Sequence, residues 1–304
     1  MTTPNTCTAE WIFSRYEQIR ARLPEAQFKP DYESYRNLSP LFDRFDAFLF
    51  DSFGVLNAGD LPIAGASERI DQLRAAGKQV LVLTNAATGP LSALTGKYEK
   101  LGFDFSREEI VSSREVLQSS LASYDPEMLW AIAAPEASEI GEFGINAKRL
   151  ATAENLFSAA DGFILLSSSG WNTASQNLLC SSLQERPRPV LVGNPDLAAP
   201  REDWFSIEPG SYAHQMMDET GVVPEFFGKP FANAFEEAIV RLDPEISRDR
   251  IAMVGDTLHT DILGGAAAGL GTILVTEHGV LKDLSLSDCL DTSKIIPDYV
   301  VPSI

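Results

Sequence analysis

Near-continuous apolar runs recur along this chain, and each stops on a polar residue. Ala47 to Phe50 ("AFLF") ends at Asp51, "QVLVL" ends at Thr84 and Asn85, and "IAMVG" ends at Asp256. Short runs rich in Val, Ile, Leu and Phe, without polar alternation, are the pattern of strands buried on both faces of a parallel sheet. Segments of helical period separate them. "GASERIDQLRAAGK" puts Ile70, Leu73 and Ala76 on one face, and "GPLSALTGKYEKLGFD" closes at Gly102. This alternation predicts an α/β fold built on a doubly wound parallel sheet, with its site outside the carboxyl ends of the strands.

A second set of strand-like runs, "MLWAIAAP", "GFILLSSS" and "PVLVGNPD", lies between 107 and 205 and predicts an α/β module inserted into the first. The first sheet then resumes with "PEFFGKP", a helix over Ala232 to Leu242, the strand "IAMVGD", a Gly/Ala-rich helix and the strand "GTILVT". Residues 9–24 have helical period and stop at Pro24, before an irregular stretch that runs to about Asp46. The expected domains are an N-terminal extension (1–40), a core (41–106 with 206–304) and the insert (107–205).

At 304 residues the chain has room for such a core and insert. Its net charge of -19 argues against nucleic acid or an anionic membrane as partner, since both need a positive surface. No apolar run approaches the ~20 residues of a membrane helix. The start, "MTTPNTCTAEWIFSR", lacks the basic and apolar regions of a secretory signal. Cys7, Cys180 and Cys289 lie too far apart in sequence for a disulfide framework or metal cluster, which suits a reducing, cytoplasmic setting.

A single strand-end Asp is as readily a cap or turn residue as a ligand or nucleophile. The set is more telling. Asp51 can attack phosphorus only if repulsion between two anions is offset. A magnesium ion held by Asp51, Asp256 and a backbone carbonyl does that with hard oxygen donors. Lys229 adds positive charge, and Thr84 a neutral hydroxyl donor. Asp261 can reach back one turn to orient Lys229 or a metal-bound water.

In order and spacing, "DSFGVL", "VLTN", "GKP" and "GDTLHTD" resemble the motifs of the haloacid dehalogenase superfamily, whose hydrolases use an aspartate nucleophile. "VGNPDLAAP", "PGSYAHQMMDETGVVPEFFGKP" and "MVGDTLHTDILGGAAAGLGTILVTEHG" are similar to its class IIA branch of NagD-like and 4-nitrophenylphosphatase-like enzymes. The likeness runs from about Phe48 to Gly279. It implies a Mg²⁺-dependent phosphatase acting on a small phosphorylated metabolite through an aspartyl-phosphate. Asp51, Thr84, Asn85 and Lys229 would be catalytic, and Asp51, the Phe53 carbonyl, Asp256 and Asp261 would serve the metal. The long interval between Thr84 and Lys229 holds the cap of that branch. There Asn194 and Asp196 of "NPD" are either substrate contacts or an Asn-Pro turn. A homodimer is left open, since many relatives pair through their caps.

Phe53 departs from the pattern. Phosphatases of the superfamily carry Asp two residues after the nucleophile, to protonate the leaving group and activate water, and a phenyl ring moves no protons. General acid-base catalysis is worth ~10²–10⁴-fold, so its loss should be felt. The expectation is a phosphatase-type hydrolase without that acid-base residue, acting on esters with good leaving groups or through a substitute acid; the alternatives are a weakly active or non-catalytic phosphometabolite binder, or dehalogenase-type chemistry. Metal-independent dehalogenases place an aromatic residue there, but they lack the "GD" motif and carry their cap earlier. His259 is the nearest substitute acid in sequence, though a solvent-facing role is the expectation for it. Arg186, Arg188 and Arg201 are candidate anion contacts that nothing ranks above surface charge. His214 and His278 receive no role.

Overall fold

The computed structural model describes residues 7–150, 155–201 and 204–304. Seven strands form one parallel sheet in the order Glu33–Ser34, Tyr299–Val301, Gly271–Val275, Ile251–Gly255, Ala47–Phe50, Gln79–Thr84, Ile110–Ser112. From the central strand Ala47–Phe50 the chain builds outward to one side, leaves for the insert, and returns on the other side at Ile251–Gly255. The gap between those two strands is the topological switch point, where α/β sheets bind ligands. Phe50 is level with Val254 on one side and Val82 on the other. Asp51, Thr84 and Asp256 therefore emerge side by side.

Burial on both faces explains the unbroken apolar runs. Phe48, Phe50, Val80, Val82, Ala252 and Val254 pack on one face against Ile70 and Leu73 of the helix Ala66–Ala75. On the other, Ala47, Leu49, Leu81, Leu83, Ile251 and Met253 meet Phe235 and Ala238 of the helix Ala232–Val240.

The inserted module has its own five-stranded parallel sheet, ordered Glu225–Phe226, Val190–Val192, Gly162–Leu165, Trp130–Ala133, Ala147–Arg149. The expected boundaries of 107 and 205 shift accordingly. Ile110–Ser112 belongs to the large sheet and leads into the helix Ser113–Ser120 through a Ser112/Glu115 capping box. Three residues are too few to show a period. At the other end, the helix Pro209–Thr220 and the strand Glu225–Phe226 belong to the insert, with Ala213 and Met216 packed among Leu179, Leu183 and Val190.

The N-terminal segment is less irregular than expected. Thr8 caps the helix Ala9–Gln18, accepting from Trp11 N at 3.2 Å, and a 3₁₀ turn over Arg20–Arg22 follows. Glu33–Ser34 adds an edge strand beside Tyr299–Val301. A ten-residue helix is marginal alone in water, and this one is held by burial. Ile12, Tyr16 and Ile19 pack on Leu197, Leu258, Ile262, Leu281 and Leu290. Each fully buried aliphatic side chain contributes roughly 1.5–3 kcal/mol. Salt bridges tie the segment to the insert as well, from Arg15 (2.8 Å) and Arg22 to Asp218.

Candidate active site

Four short elements converge at the switch point. Asp51 follows the central strand, and its backbone N–H still bonds Val254 O at 2.9 Å. Gly54, at φ 80°, then turns the chain beneath Asp256. A Cβ there would lie 2.7 Å from the Asp256 carboxyl carbon, so the turn needs glycine. Asp256 follows Ile251–Gly255, and a π-helical turn over Leu258–Ile262 brings Asp261 back under the strand end. Gly255 makes room, since a Cβ on it would sit 2.2 Å from Asp261 Cβ. Lys229 arrives from the loop after Glu225–Phe226.

Lys229 Nζ lies 2.6 Å from Asp51 Oδ1 and 2.7 Å from Asp261 Oδ1, with its side chain 2 % exposed. Burial alone would lower the ammonium pKa, but the Asp261 and Asp51 carboxylates outweigh it and hold it above the ordinary lysine value. Ligand oxygens of Asp51, Asp256 and Asp261 lie within 4.8 Å of one another. Burial, then repulsion from Asp261 and Asp51, pushes Asp256 well above the usual carboxylate range, and burial lifts Asp261 to about 6. Three carboxylates thus share one ammonium in a desolvated pocket. That surplus negative charge, on hard oxygen donors at a convergent spacing, fits a divalent cation. The oxygens are not equally available: Asp261 accepts from Lys229 on Oδ1 and from Thr257 N on Oδ2 at 3.0 Å. It is the arm that steers the lysine.

Thr84 is buried at its strand end, its Oγ1 accepts from Ala86 N at 3.2 Å, and its hydroxyl also meets that of Tyr98. The Asn85 side chain is committed to its neighbours. Its Oδ1 accepts from Lys229 N at 2.7 Å, and its Nδ2 donates to Lys229 O (2.9 Å) and Asp196 Oδ1 (2.8 Å). Asn194 Oδ1 accepts from Asp196 N at 3.0 Å, the Asn-Pro turn geometry, while its Nδ2 donates to Glu208 at 3.2 Å. Burial raises Asp196 to about 8 against the pull of Lys229.

Above this floor opens a cavity of about 440 Å³ lined by Asp51, Phe53, Thr84, Asn85, Asn194, Asp196 and Asp256. Its wall also brings Tyr16, Lys97, Ser167, Arg201 and Glu208 to the site. A second cavity of about 450 Å³, lined by Arg44, Phe45, Arg250 and Gly271, lies at the opposite, amino-terminal edge of the sheet.

Known proteins match the chain across this arrangement. Residues 48–146 match the model of the haloacid dehalogenase-like hydrolases, and residues 226–304 a HAD-hydrolase-like model. Human glycerol-3-phosphate phosphatase is 31 % identical over 85 % of this chain and 88 % of its own length. The 4-nitrophenylphosphatase of Schizosaccharomyces pombe is 26 % identical over 89 % and 96 %. A crystal structure described as a possible sugar phosphatase, from Cytophaga hutchinsonii, superposes with a TM-score of 0.78 at 27 % identity, covering 89 % and 98 %. The chain is a haloacid dehalogenase-like hydrolase of class IIA.

In this hydrolase the structure gathers every residue expected from sequence, Asp51, Phe53, Thr84, Asn85, Asn194, Asp196, Lys229, Asp256 and Asp261, at one place. His259 is a correction. Rather than facing solvent, it is buried, stacked on Tyr16 at 4.8 Å, with Nε2 2.6 Å from Glu17 Oε1. The N-terminal helix covers it. Of the three insert arginines, Arg188 and Arg186 spend their guanidiniums on main-chain carbonyls such as Ala160 O, and only Arg201 lines the cavity.

Sequence reasoning passes over Tyr16 and Lys97. A signal for Lys97 exists: it falls on the stripe of Leu94 and Tyr98, buried in the helix Leu91–Lys100, and of the cap residue Leu101, and a lysine there breaks an apolar pattern. Its Nζ sits 3.9 Å above the Phe53 ring and donates to Asn57 Oδ1 (3.3 Å) and Ser52 Oγ (3.4 Å). Burial draws its pKa down to about 8, against the pull of Asp51 and Asp60.

Proposed function

We propose that this hydrolase cleaves small phosphate monoesters by covalent catalysis at Asp51. The observation carrying this reading is the buried ammonium of Lys229 held between Asp51 and Asp261, with Asp256 beside them. Asp51 Oδ1 accepts from Lys229 and from Ser52 N at 2.7 Å, which leaves Oδ2 to form the bond to phosphorus. The ester P–O bond breaks as that bond forms. Lys229 offsets the charge gathering on the nucleophile and phosphoryl oxygens, and the Thr84 hydroxyl donates to one of them. Water then attacks the aspartyl-phosphate, and cleavage of its P–O bond returns the carboxylate and releases inorganic phosphate. Asn85 acts as a positioning residue that fixes the Lys229 backbone and Asp196.

Family members generally use a divalent metal. Here Asp51, Asp256 and the Phe53 carbonyl would hold it, with magnesium favoured by the all-oxygen donor set. Bound there, it supplies the remaining positive charge that lets a carboxylate approach a phosphate. At position 53 no side chain can hand a proton to the leaving oxygen, so that proton comes from solvent, and esters with acidic leaving groups are favoured.

The test is phosphate release from 4-nitrophenyl phosphate with magnesium or with a chelator. Turnover is expected with the metal only, and Asp51→Asn should lower it at least ~10³-fold. The aromatic ring at 53 favours one second reading, a phosphometabolite binder with little turnover. Tight binding across a panel of phosphate esters with no phosphate released would select it.

A further inference from the structure

The side chain at 53 is not merely missing a carboxylate; it has acquired two cations. Lys97 Nζ lies 3.9 Å from the centre of the Phe53 ring, and the Arg201 guanidinium carbon lies 5.5 Å from it. Cations are attracted to aromatic faces, more so when desolvated. They come from separate elements, Lys97 from the helix Leu91–Lys100 and Arg201 from beside the ribbon Ala198–Pro200/Phe205–Ile207, and both line the same cavity as Asp51.

Their pairing is incomplete. Among the described residues no carboxylate lies within 4 Å of Lys97 Nζ; its hydrogen-bond acceptors, Ser52 Oγ and Asn57 Oδ1, are neutral. Arg201 is paired with Glu208 at 3.1 Å, and Glu208 is also held by Ser206 at 2.5 Å. Asp60 is exposed at the rim of the cavity and makes no ion pair with Lys97. One half-buried positive charge is therefore left over in a chain whose net charge is -19. Phenylalanine preserves that surplus.

We propose that Lys97 and Arg201 form a second anion subsite against the Phe53 ring, so that the preferred substrates are phosphate monoesters carrying a further anionic group, a carboxylate or another phosphoryl. This rests on the phosphatase reading of the floor and adds the substrate class to it. The ester phosphate meets Asp51 and Lys229, and the second anion meets the ammonium and the free edge of the guanidinium. The ring gives the connecting atoms an apolar wall. An ester without the second charge leaves Lys97 desolvated and unpaired, which is the origin of the selectivity.

The probes are 3- and 4-carboxyphenyl phosphate, each set against its carboxamide, which keeps the shape and removes the charge. In the wild-type enzyme kcat/KM for at least one carboxylate should exceed that of its amide by about tenfold or more. Lys97→Met should bring the ratio toward one, and Lys97→Arg should retain it. Calorimetric binding to Asp51→Asn gives the same comparison without turnover. Hydrolysis of all four esters at equal efficiency overturns the subsite and leaves the phosphatase reading standing. The same holds if Lys97→Met lowers acids and amides alike, since the lysine then serves the transferred phosphoryl group. Preferential binding of the acids with no hydrolysis keeps the subsite and removes the phosphatase reading. If Lys97→Met does not fold, the wild-type ratios decide alone.

Discussion

The floor of the cavity and its wall are held by different kinds of contact. On the floor, Lys229 is locked by two carboxylates, Asp261 by Lys229 and Thr257, and Asn85 by both ends of the Lys229 peptide. Its charged side chains hold one another at short range, and Asp51 Oδ2 is left open. On the wall, Tyr16 comes from the N-terminal helix, Lys97 from an adjoining helix and Arg201 from beside a two-stranded ribbon. Arg201 is paired there with Glu208, but Lys97 meets only an aromatic face and neutral oxygens, which leaves charge to spare. A locked floor keeps one reaction in geometry, whereas a loosely paired wall can be altered without disturbing it. On the function proposed above, chemistry and recognition fall to separate parts of the fold.

The hardest blow to this contrast is Lys229→Met. It leaves Asp51 and Asp261 buried beside Asp256 with no ammonium, and breaking such a pair from one side costs about 3–5 kcal/mol. Urea unfolding should show that loss, and turnover should fall at least ~10³-fold. Lys97→Met, which strips a wall cation with neutral partners, should cost under about 1 kcal/mol. Equal costs would erase the distinction.

Acid should strike where the N-terminal segment meets the insert. His214 is buried in the helix Pro209–Thr220, stacked on Phe226 at 4.9 Å. Burial, then the Arg22 and Arg15 charges, depress its pKa to about 3, with Asp218 pulling the other way. The unfolded chain protonates this imidazole below about pH 6.5, while the folded chain keeps it neutral. Stability is therefore lost as pH falls from about 6.5 toward 3, by up to about 4 kcal/mol, because each pH unit in that window favours the protonated, unfolded chain by ~1.36 kcal/mol. His214→Phe should flatten that part of the curve in urea titrations. An unchanged acid slope would mean that this imidazole does not govern it.

A smaller change in turnover than that of Lys229→Met is expected at the seam between floor and wall. Phe53→Asp restores a proton donor two residues after Asp51, and should raise turnover of alkyl phosphates about tenfold more than of aryl phosphates, whose leaving groups need no proton. Parallel steady-state assays on the two ester classes decide it. Equal effects on both would remove the acid-base account of the substitution.

The same division governs what is legible in the sequence. Asp51, Thr84, Lys229, Asp256 and Asp261 each close or follow a short local pattern, so neighbouring residues announce them. Tyr16 and Lys97 acquire meaning only through partners distant in sequence, such as Leu197 and Phe53. His259 defeats a local reading for the same reason, because the helix that buries it lies at the other end of the chain. Ile110–Ser112 escapes notice because three residues carry no period, and its apolar character is decided by the strand beside it.

The helix Ala9–Gln18 leaves the ribosome long before its docking partners exist. Glu17 is 242 positions from His259, and Arg15 is 203 from Asp218. Until those residues are synthesised, Ile12, Tyr16 and Ile19 have no surface to cover, and closing so long a loop is entropically slow. Docking of this helix is consequently a late event in the birth of each molecule. Tyr16 reaches the cavity only then, so the newborn enzyme gains this part of its wall no earlier than Asp256 and Asp261 complete its floor.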